Sequence, residues 1–216
     1  MPEMDPRDVA ASYDRIADRW DDASFPRGNG IAAHERALAF LARGGRALDV
    51  GCGCSGRFID LLLGRGLEVE GLDLSARMIA LARRRHPRVT FHHADMREWA
   101  SPQPYDFISA WDSLWHLPLA DHERTLKHLL AMLAPGGVCL FTAGGLDATG
   151  DKTDAAMGVP MYYSTLGVSR MLAVIAEAGA ACRHLEYDQL PEQHVYVIAQ
   201  RVPPTPPSFG SAASPR

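Results

Sequence analysis

Residues 46–58 read RALDVGCGCSGRF, from Arg46 to Phe58. RALDV has the length and apolar content of a buried strand. Gly51, Gly53 and Gly56 then stand in the G-x-G-x-x-G spacing of a strand-to-helix turn that lets an adenosine-bearing cofactor approach the backbone. The helix RFIDLLLGRG follows. Such a unit decides the fold class only if strands and helices keep alternating around it, and it leaves the cofactor open.

They do alternate. LEVEGLD predicts a second strand, and SARMIALARRRH a helix with Ser75 as its N-cap. RVTFHHAD predicts a third strand, YDFISAW a fourth, DHERTLKHLLAML a helix and GVCLFTA a fifth strand. This order implies an α/β fold: a Rossmann-like, doubly wound, mostly parallel sheet with right-handed crossovers and ligands beyond the strands' carboxyl ends. After the helix STLGVSRMLAVIAEAG, the runs ACRHLEYD and HVYVIAQR are separated only by QLPEQ. So short a link admits an antiparallel hairpin and no crossover, giving seven strands with a C-terminal antiparallel hairpin.

Upstream, Val9, Tyr13, Ile16 and Trp20 recur at helical steps, and a second helix is expected over Ile31 to Ala42. The expected organisation is one domain over 1–202. Within it, 1–44 form an N-terminal helical lid, and 143–163 a glycine-rich, polar insert long enough to be a substrate loop. The proline- and serine-rich tail 203–216 is expected to be disordered.

With 216 residues, 47% hydrophobic and 22% charged, the chain suffices for one core and is expected to be soluble. No apolar run approaches the roughly 20 residues of a membrane span, and the N-terminus lacks a secretory layout, so the expected location is cytoplasmic. A net charge of −4 argues against nucleic-acid binding. Arg83, Arg84, Arg85 and Arg88 cluster where a helix ends, a place that favours cations. Cys52, Cys54, Cys139 and Cys182 are too few for a disulfide framework and lack zinc-site spacing, so reduced thiols and no metal are expected.

Asp73 lies about 20 residues past the glycines, where an acid accepts from the ribose hydroxyls of any adenosine-bearing cofactor. Other residues discriminate. Asp49 just before the turn is ill suited to a pyrophosphate and suits an ammonium or sulfonium. The third strand ends in a further acid, Asp95, which can accept from an exocyclic amine, and Met96 can lie against an adenine face.

Taken together, LDVGCGCSGRF, GLDLSARMI, HADM, YDFISAWDSLWHLP and LAPGGVCLFT resemble the class I S-adenosylmethionine-dependent methyltransferases, from about Tyr13 to Arg201. The resemblance implies that Gly51, Cys52 and Gly53 pass under the methionine part of that cofactor, with Asp49 fixing the turn and the amino group. It implies Asp73 on the ribose, Leu74 beside the adenine, Asp95 and Met96 on the adenine ring, and Trp111 at the amino-acid end. YDRIADRW resembles the helix that small-molecule methyltransferases fold over the cofactor. Tyr13 and Trp20 are then either lid contacts or aromatics packing a helix onto the core. The chain departs from the commonest pattern at Cys54, which takes the usual third glycine position and delays the glycine to Gly56.

Methyl transfer from a sulfonium is an in-line displacement, for which positioning alone can supply about 7–11 kcal/mol. A hydroxyl or ammonium acceptor must also lose a proton. His116, after the fourth strand, is the candidate base, its alternative being a histidine that packs or caps the next helix. Asp112 is a candidate for orienting an amine, and Tyr162 and Tyr163 for an aromatic pocket, one of them expected in the core. There is no proline-cysteine pair and no asparagine- or aspartate-proline-proline-aromatic box of the DNA methylases. The expected acceptor is an O, N or S atom of a small molecule, and the expected state a monomer or homodimer. Competing readings are an NAD-dependent oxidoreductase using the same turn, a protein or RNA methyltransferase, and a non-catalytic module that retains the pocket.

Overall fold

The computed structural model describes residues 4–42 and 44–203. The tail expected to be disordered lies, apart from Pro203, outside them.

RALDV is the central strand β1 (Arg46–Val50), and its four residues after Arg46 are buried. Parallel to it run β2 (Glu68–Asp73), β3 (Thr90–His93), β4 (Tyr105–Ala110) and β5 (Leu133–Gly144). The last two strands, β8 (Ala180–Tyr187) and β9 (His194–Arg201), form the antiparallel hairpin, with β9 inserted beside β5. The order is β3-β2-β1-β4-β5-β9-β8, so the seven-stranded doubly wound sheet and its terminal hairpin are as expected.

Strand alternation sends side chains to two cores. Leu48 and Val50 face α6 (His122–Ala131) and α7 (Val168–Glu177), meeting Leu126, Leu130 and Val174. Ala47 faces α3 (Ile31–Leu38), α4 (Arg57–Gly64) and α5 (Ala76–Arg85), meeting Phe58, Leu62 and Ile79. The same alternation turns Asp49 to the α3/α4 side.

Several boundaries differ from the sequence expectation, among them the helix expected from Ser164, which begins at Val168, and the fifth strand, which begins at Leu133. The N-terminal helix breaks at Ala17 into α1 (Pro6–Ile16) and a single turn, α2 (Asp18–Asp21), which carries Trp20. The next helix ends at Leu38 rather than Ala42, because the chain tightens into i→i−3 bonds, Phe40 N–H to Ala37 O and Leu41 N–H to Leu38 O, before Gly44. The insert is not mere loop: β6 (Gly150–Asp154) and β7 (Met161–Thr165) form a separate antiparallel hairpin. Tyr162 is its core residue, packed with Val9, Ile16 and Met161.

The arginine cluster is largely engaged within the fold. Arg84 and Arg85 both pair with Asp21 of α2, Arg83 donates to the Phe91 carbonyl, and Arg85 Nε donates to the Cys54 carbonyl. Among the described residues no helix is long and apolar enough to cross a membrane.

Candidate active site

The carboxyl ends of β1, β2, β3 and β4 open into a cavity of about 290 Å³, roofed by α1 and by β7. Its floor is the glycine turn. Gly51 (φ +67°) and Gly53 (φ +55°) hold left-handed backbone that L side chains resist, and the Gly51 and Cys52 N–H groups donate back to the Leu72 carbonyl. Gly53 N–H donates to Asp73 Oδ2 at 2.9 Å, and Ser75 N–H to Asp73 Oδ1 at 2.8 Å. Burial pushes the Asp73 carboxyl above its ordinary value, and these N–H donors oppose the shift.

Of the residues expected from the sequence, Gly51, Cys52, Gly53, Asp73, Leu74, Asp95, Met96, Trp111, Tyr13, Trp20, Asp112 and His116 all line this cavity. Asp49 does not. It stands behind the turn, 2% exposed, hydrogen-bonded to Ser109, which also meets His34 Nε2 at 2.8 Å. Desolvation pushes its carboxyl up to about 7. Asp95 is held by a two-nitrogen ion pair with Arg97, which lowers its carboxyl despite partial burial and bridges on to Asp121.

A further part of the lining is built from three separated segments. Tyr13 comes from α1, which is capped by Asp5 and fastened where Asp14 accepts from Ser75 Oγ and Arg77 N–H at the start of α5. His116 closes the 3-10 turn Leu114–His116 that follows β4. Its Nδ1 lies 2.8 Å from the Tyr162 carbonyl of β7. A carbonyl only accepts, so Nδ1 carries the hydrogen. Nε2 then presents its lone pair to the Tyr13 hydroxyl at 2.8 Å and the Trp115 N–H at 3.2 Å. Desolvation lowers the His116 ring to about 4, which keeps it neutral at ordinary pH, and burial raises the Tyr13 phenol well above its usual value. Tyr163 lines the cavity beside His116, with ring centroids 5.1 Å apart.

Two functional candidates escaped the sequence reading. Arg57 lines the cavity at the first turn of α4, stacked over Phe58 and donating to the Asn29 carbonyl. A cation at a helix N-terminus opposes the helix dipole, and that signal was available in the sequence. His194, at the head of β9, has no local signal. It reaches Asp112 across 82 positions.

Comparison with known proteins now decides the family. A family model described as a methyltransferase domain matches residues 27–199. The chain belongs to this methyltransferase family. Trans-aconitate 2-methyltransferase of Azoarcus sp. is 38% identical over 129 residues, which make up 55% of this chain and 48% of that protein. The dTDP-3-amino-3,6-dideoxy-alpha-D-glucopyranose N,N-dimethyltransferase of Streptomyces fradiae is 36% identical over 130 residues, 57% of this chain and 51% of that one. The chain thus spans about half the length of these curated relatives. Burkholderia thailandensis 1,6-didemethyltoxoflavin-N1-methyltransferase, solved with 1,6-didemethyltoxoflavin and S-adenosylhomocysteine, shares the fold at a TM-score of 0.68 and 20% identity, covering 94% of this chain and 92% of that one.

Proposed function

We propose that this member of the family is an S-adenosylmethionine-dependent methyltransferase that methylates an O, N or S atom of a small molecule. The observation that carries the reading is one cavity lined both by the glycine turn with its acids and by the hydrogen-bonded Tyr13–His116 pair. The residues present fit the cofactor. A Cβ built on Gly53 would meet nothing within 4 Å, so the turn keeps open space above its backbone. Leu74, Ala94 and Met96 supply an apolar slot beside Asp73 and Asp95.

On this reading Asp73 would hold the ribose, Leu74 and Met96 the adenine with Asp95, and Gly51 to Gly53 with Trp111 the methionine part. Asp49 acts from behind, bracing the turn. Tyr13 and Trp20 belong to the lid, and 143–163 to the acceptor wall. When bound, S-adenosylmethionine supplies an electrophilic methyl group on a sulfonium. The chain's own work is to orient the acceptor and exclude water. His116, its tautomer fixed by the Tyr162 carbonyl, accepts the Tyr13 hydroxyl hydrogen bond at Nε2, so that the Tyr13 oxygen turns its lone pairs to the acceptor's O–H or N–H and orients it for attack. The neutral ring keeps that lone pair available throughout the neutral range.

The engaged arginines give no support to an RNA substrate. Four free thiols support a reducing, cytoplasmic setting, and a monomer or homodimer completes the proposal. The test is S-adenosylmethionine with a panel of small amines, hydroxy compounds and carboxylic acids, read by mass spectrometry for a methyl adduct. Tyr13→Phe and His116→Asn should each lower kcat by roughly 10² while S-adenosylhomocysteine still binds. No adduct from a broad panel, with no S-adenosylhomocysteine binding, would overturn the reading.

A further inference from the structure

Asp112 is the non-glycine residue among those described with a left-handed backbone, φ +53°. That conformation is costly for a residue with a side chain, and it persists where the surroundings enforce it. Here they do. The Asp112 N–H donates to Thr142 Oγ1 at 2.8 Å, and Asp112 Oδ1 meets His194 Nε2 at 3.1 Å. On its other side, His194 Nδ1 meets Asp188 Oδ1 at 2.5 Å. Carboxylates only accept, so both ring nitrogens donate and the ring is an imidazolium, 6% exposed between two acids. The Trp111 and Trp115 rings pack around it at 5.5 and 5.4 Å. The terminal hairpin thereby reaches over the end of β5 to hold one acid of the cavity wall.

That acid has an opposite charge for company. Arg57 lines the same cavity, and the charges of the two residues act on one another. Ser113, next after Asp112, packs so close to the glycine turn that a Cβ on Gly51 would lie 2.4 Å from its own. The acid therefore lies near the glycine turn, and the cavity wall there carries both an anion and a cation. A free α-amino acid presents the complementary pair.

We propose that Asp112 receives the α-ammonium of the cofactor's amino-acid end, that Arg57 faces its carboxylate, and that His194, clamped by Asp188, is the positioning residue that sets Asp112. This deepens the methyltransferase reading and rests on it. The charged and titratable groups around His194 are Asp112 from the β4 loop and Asp188 from the β8–β9 connection, with Arg57 and His116 one step further out. Desolvation disfavours the imidazolium, the two carboxylates outweigh it, and the ring's pKa is raised. As pH rises through that value, the neutral ring keeps one N–H for two acids and the clamp opens.

The experiment is calorimetric binding of two probes, S-adenosylhomocysteine and its analogue lacking the α-amino group, between pH 6 and 9. Wild type, Asp112→Asn, His194→Gln and Asp188→Asn are compared, each checked for folding by thermal unfolding. Asp112→Asn should weaken S-adenosylhomocysteine at least tenfold and leave the analogue within about twofold. His194→Gln and Asp188→Asn should weaken it three- to tenfold at pH 6.5, flattening the extra loss of affinity that wild type shows on going alkaline. Should both probes weaken equally, or neither, the assignment fails while the methyltransferase reading stands. Absence of S-adenosylhomocysteine binding by wild type overturns both.

Discussion

Gly53 is the residue whose replacement separates folding from binding. Its φ is +55°, and left-handed backbone costs an L residue roughly 1–2 kcal/mol. In a domain of this size that lowers Tm by roughly 2–8 °C. Nothing else opposes Gly53→Ala, since the added Cβ meets no atom within 4 Å. Gly51 is the control. It has the same kind of backbone (φ +67°), but its Cβ would stand 2.4 Å from the Ser113 Cβ, and Ser113 is anchored by donating to the Val50 carbonyl at 3.0 Å. Gly51→Ala must therefore displace the loop after β4 and should lose more stability than Gly53→Ala. Ligand binding makes the other half of the contrast. S-adenosylhomocysteine at a hundred times its Kd adds roughly 2.7 kcal/mol, or roughly 5–11 °C in a thermal melt. Wild type should show that rise, and Gly53→Ala should fold yet lose most of it, because its methyl group projects into the space the cofactor would fill. A full rise in Gly53→Ala would show that this space belongs to no cofactor. Equal destabilisation of the two variants would show that it is not open.

The remaining predictions concern pH and charge. The Asp49 carboxyl, raised to about 7 in the fold, binds its proton more tightly there than in the unfolded chain. Its contribution is complete at low pH and is lost between about pH 4 and pH 7, an amount on the order of 4 kcal/mol. Asp49→Asn should gain on wild type in Tm from pH 5 to pH 7 and level off above it, and a difference independent of pH would refute this. The buried rings of His34, lowered to about 3, and of His116 and His122, lowered to about 4, have the opposite consequence, since the unfolded chain takes up protons first and stability falls as pH drops below about 6.5. His122→Gln should reduce that slope by about one proton, roughly 1.4 kcal/mol per pH unit, and an unchanged slope would mean its ring is not held neutral. Arg84→Glu removes a pair whose arginine side chain is 72% exposed, so it should cost under about 1 kcal/mol. Neither variant nor wild type should retain RNA on a filter, and salt-dependent retention lost in the variant would reopen an RNA substrate.

The layered sheet was legible because each strand and helix carries its own period. RALDV is short, mostly apolar and buried on both faces, as a central parallel strand must be, and QLPEQ is too short for anything but a hairpin. Cavity residues that end a strand, such as Asp73 and Trp111, follow from that topology. What escaped depends on distant pairing. The β6–β7 hairpin has a polar first strand whose partner is specified by Tyr162 burying against α1, a tertiary contact. Asp49 was assigned by its place beside the glycines, but side-chain alternation along β1 turns it to the α3/α4 side. His194 joins Asp112 only because β9 inserts antiparallel beside β5, bringing His194 opposite Gly144.

The way α1 is fastened bears on what the acceptor can be. On one face α1 is held by directional bonds, Asp14 to Ser75 Oγ and to Arg77 N–H. On its opposite face, both before and after Asp14, it is held by apolar packing of Val9 and Ile16 in one cluster with Val159, Met161 and Tyr162. The first kind of contact fixes a helix in register, and the second tolerates sliding. The wall facing Tyr13 and His116 comes from Met157 and Tyr163, on a hairpin of two five-residue strands. So short a wall encloses a compact acceptor and leaves a bulky one projecting into solvent. On the proposed reading, lengthening the turn between Asp154 and Met161 should therefore change KM for the acceptor and leave S-adenosylhomocysteine affinity unaltered. Equal changes in both would mean that the hairpin shapes the whole cavity through α1.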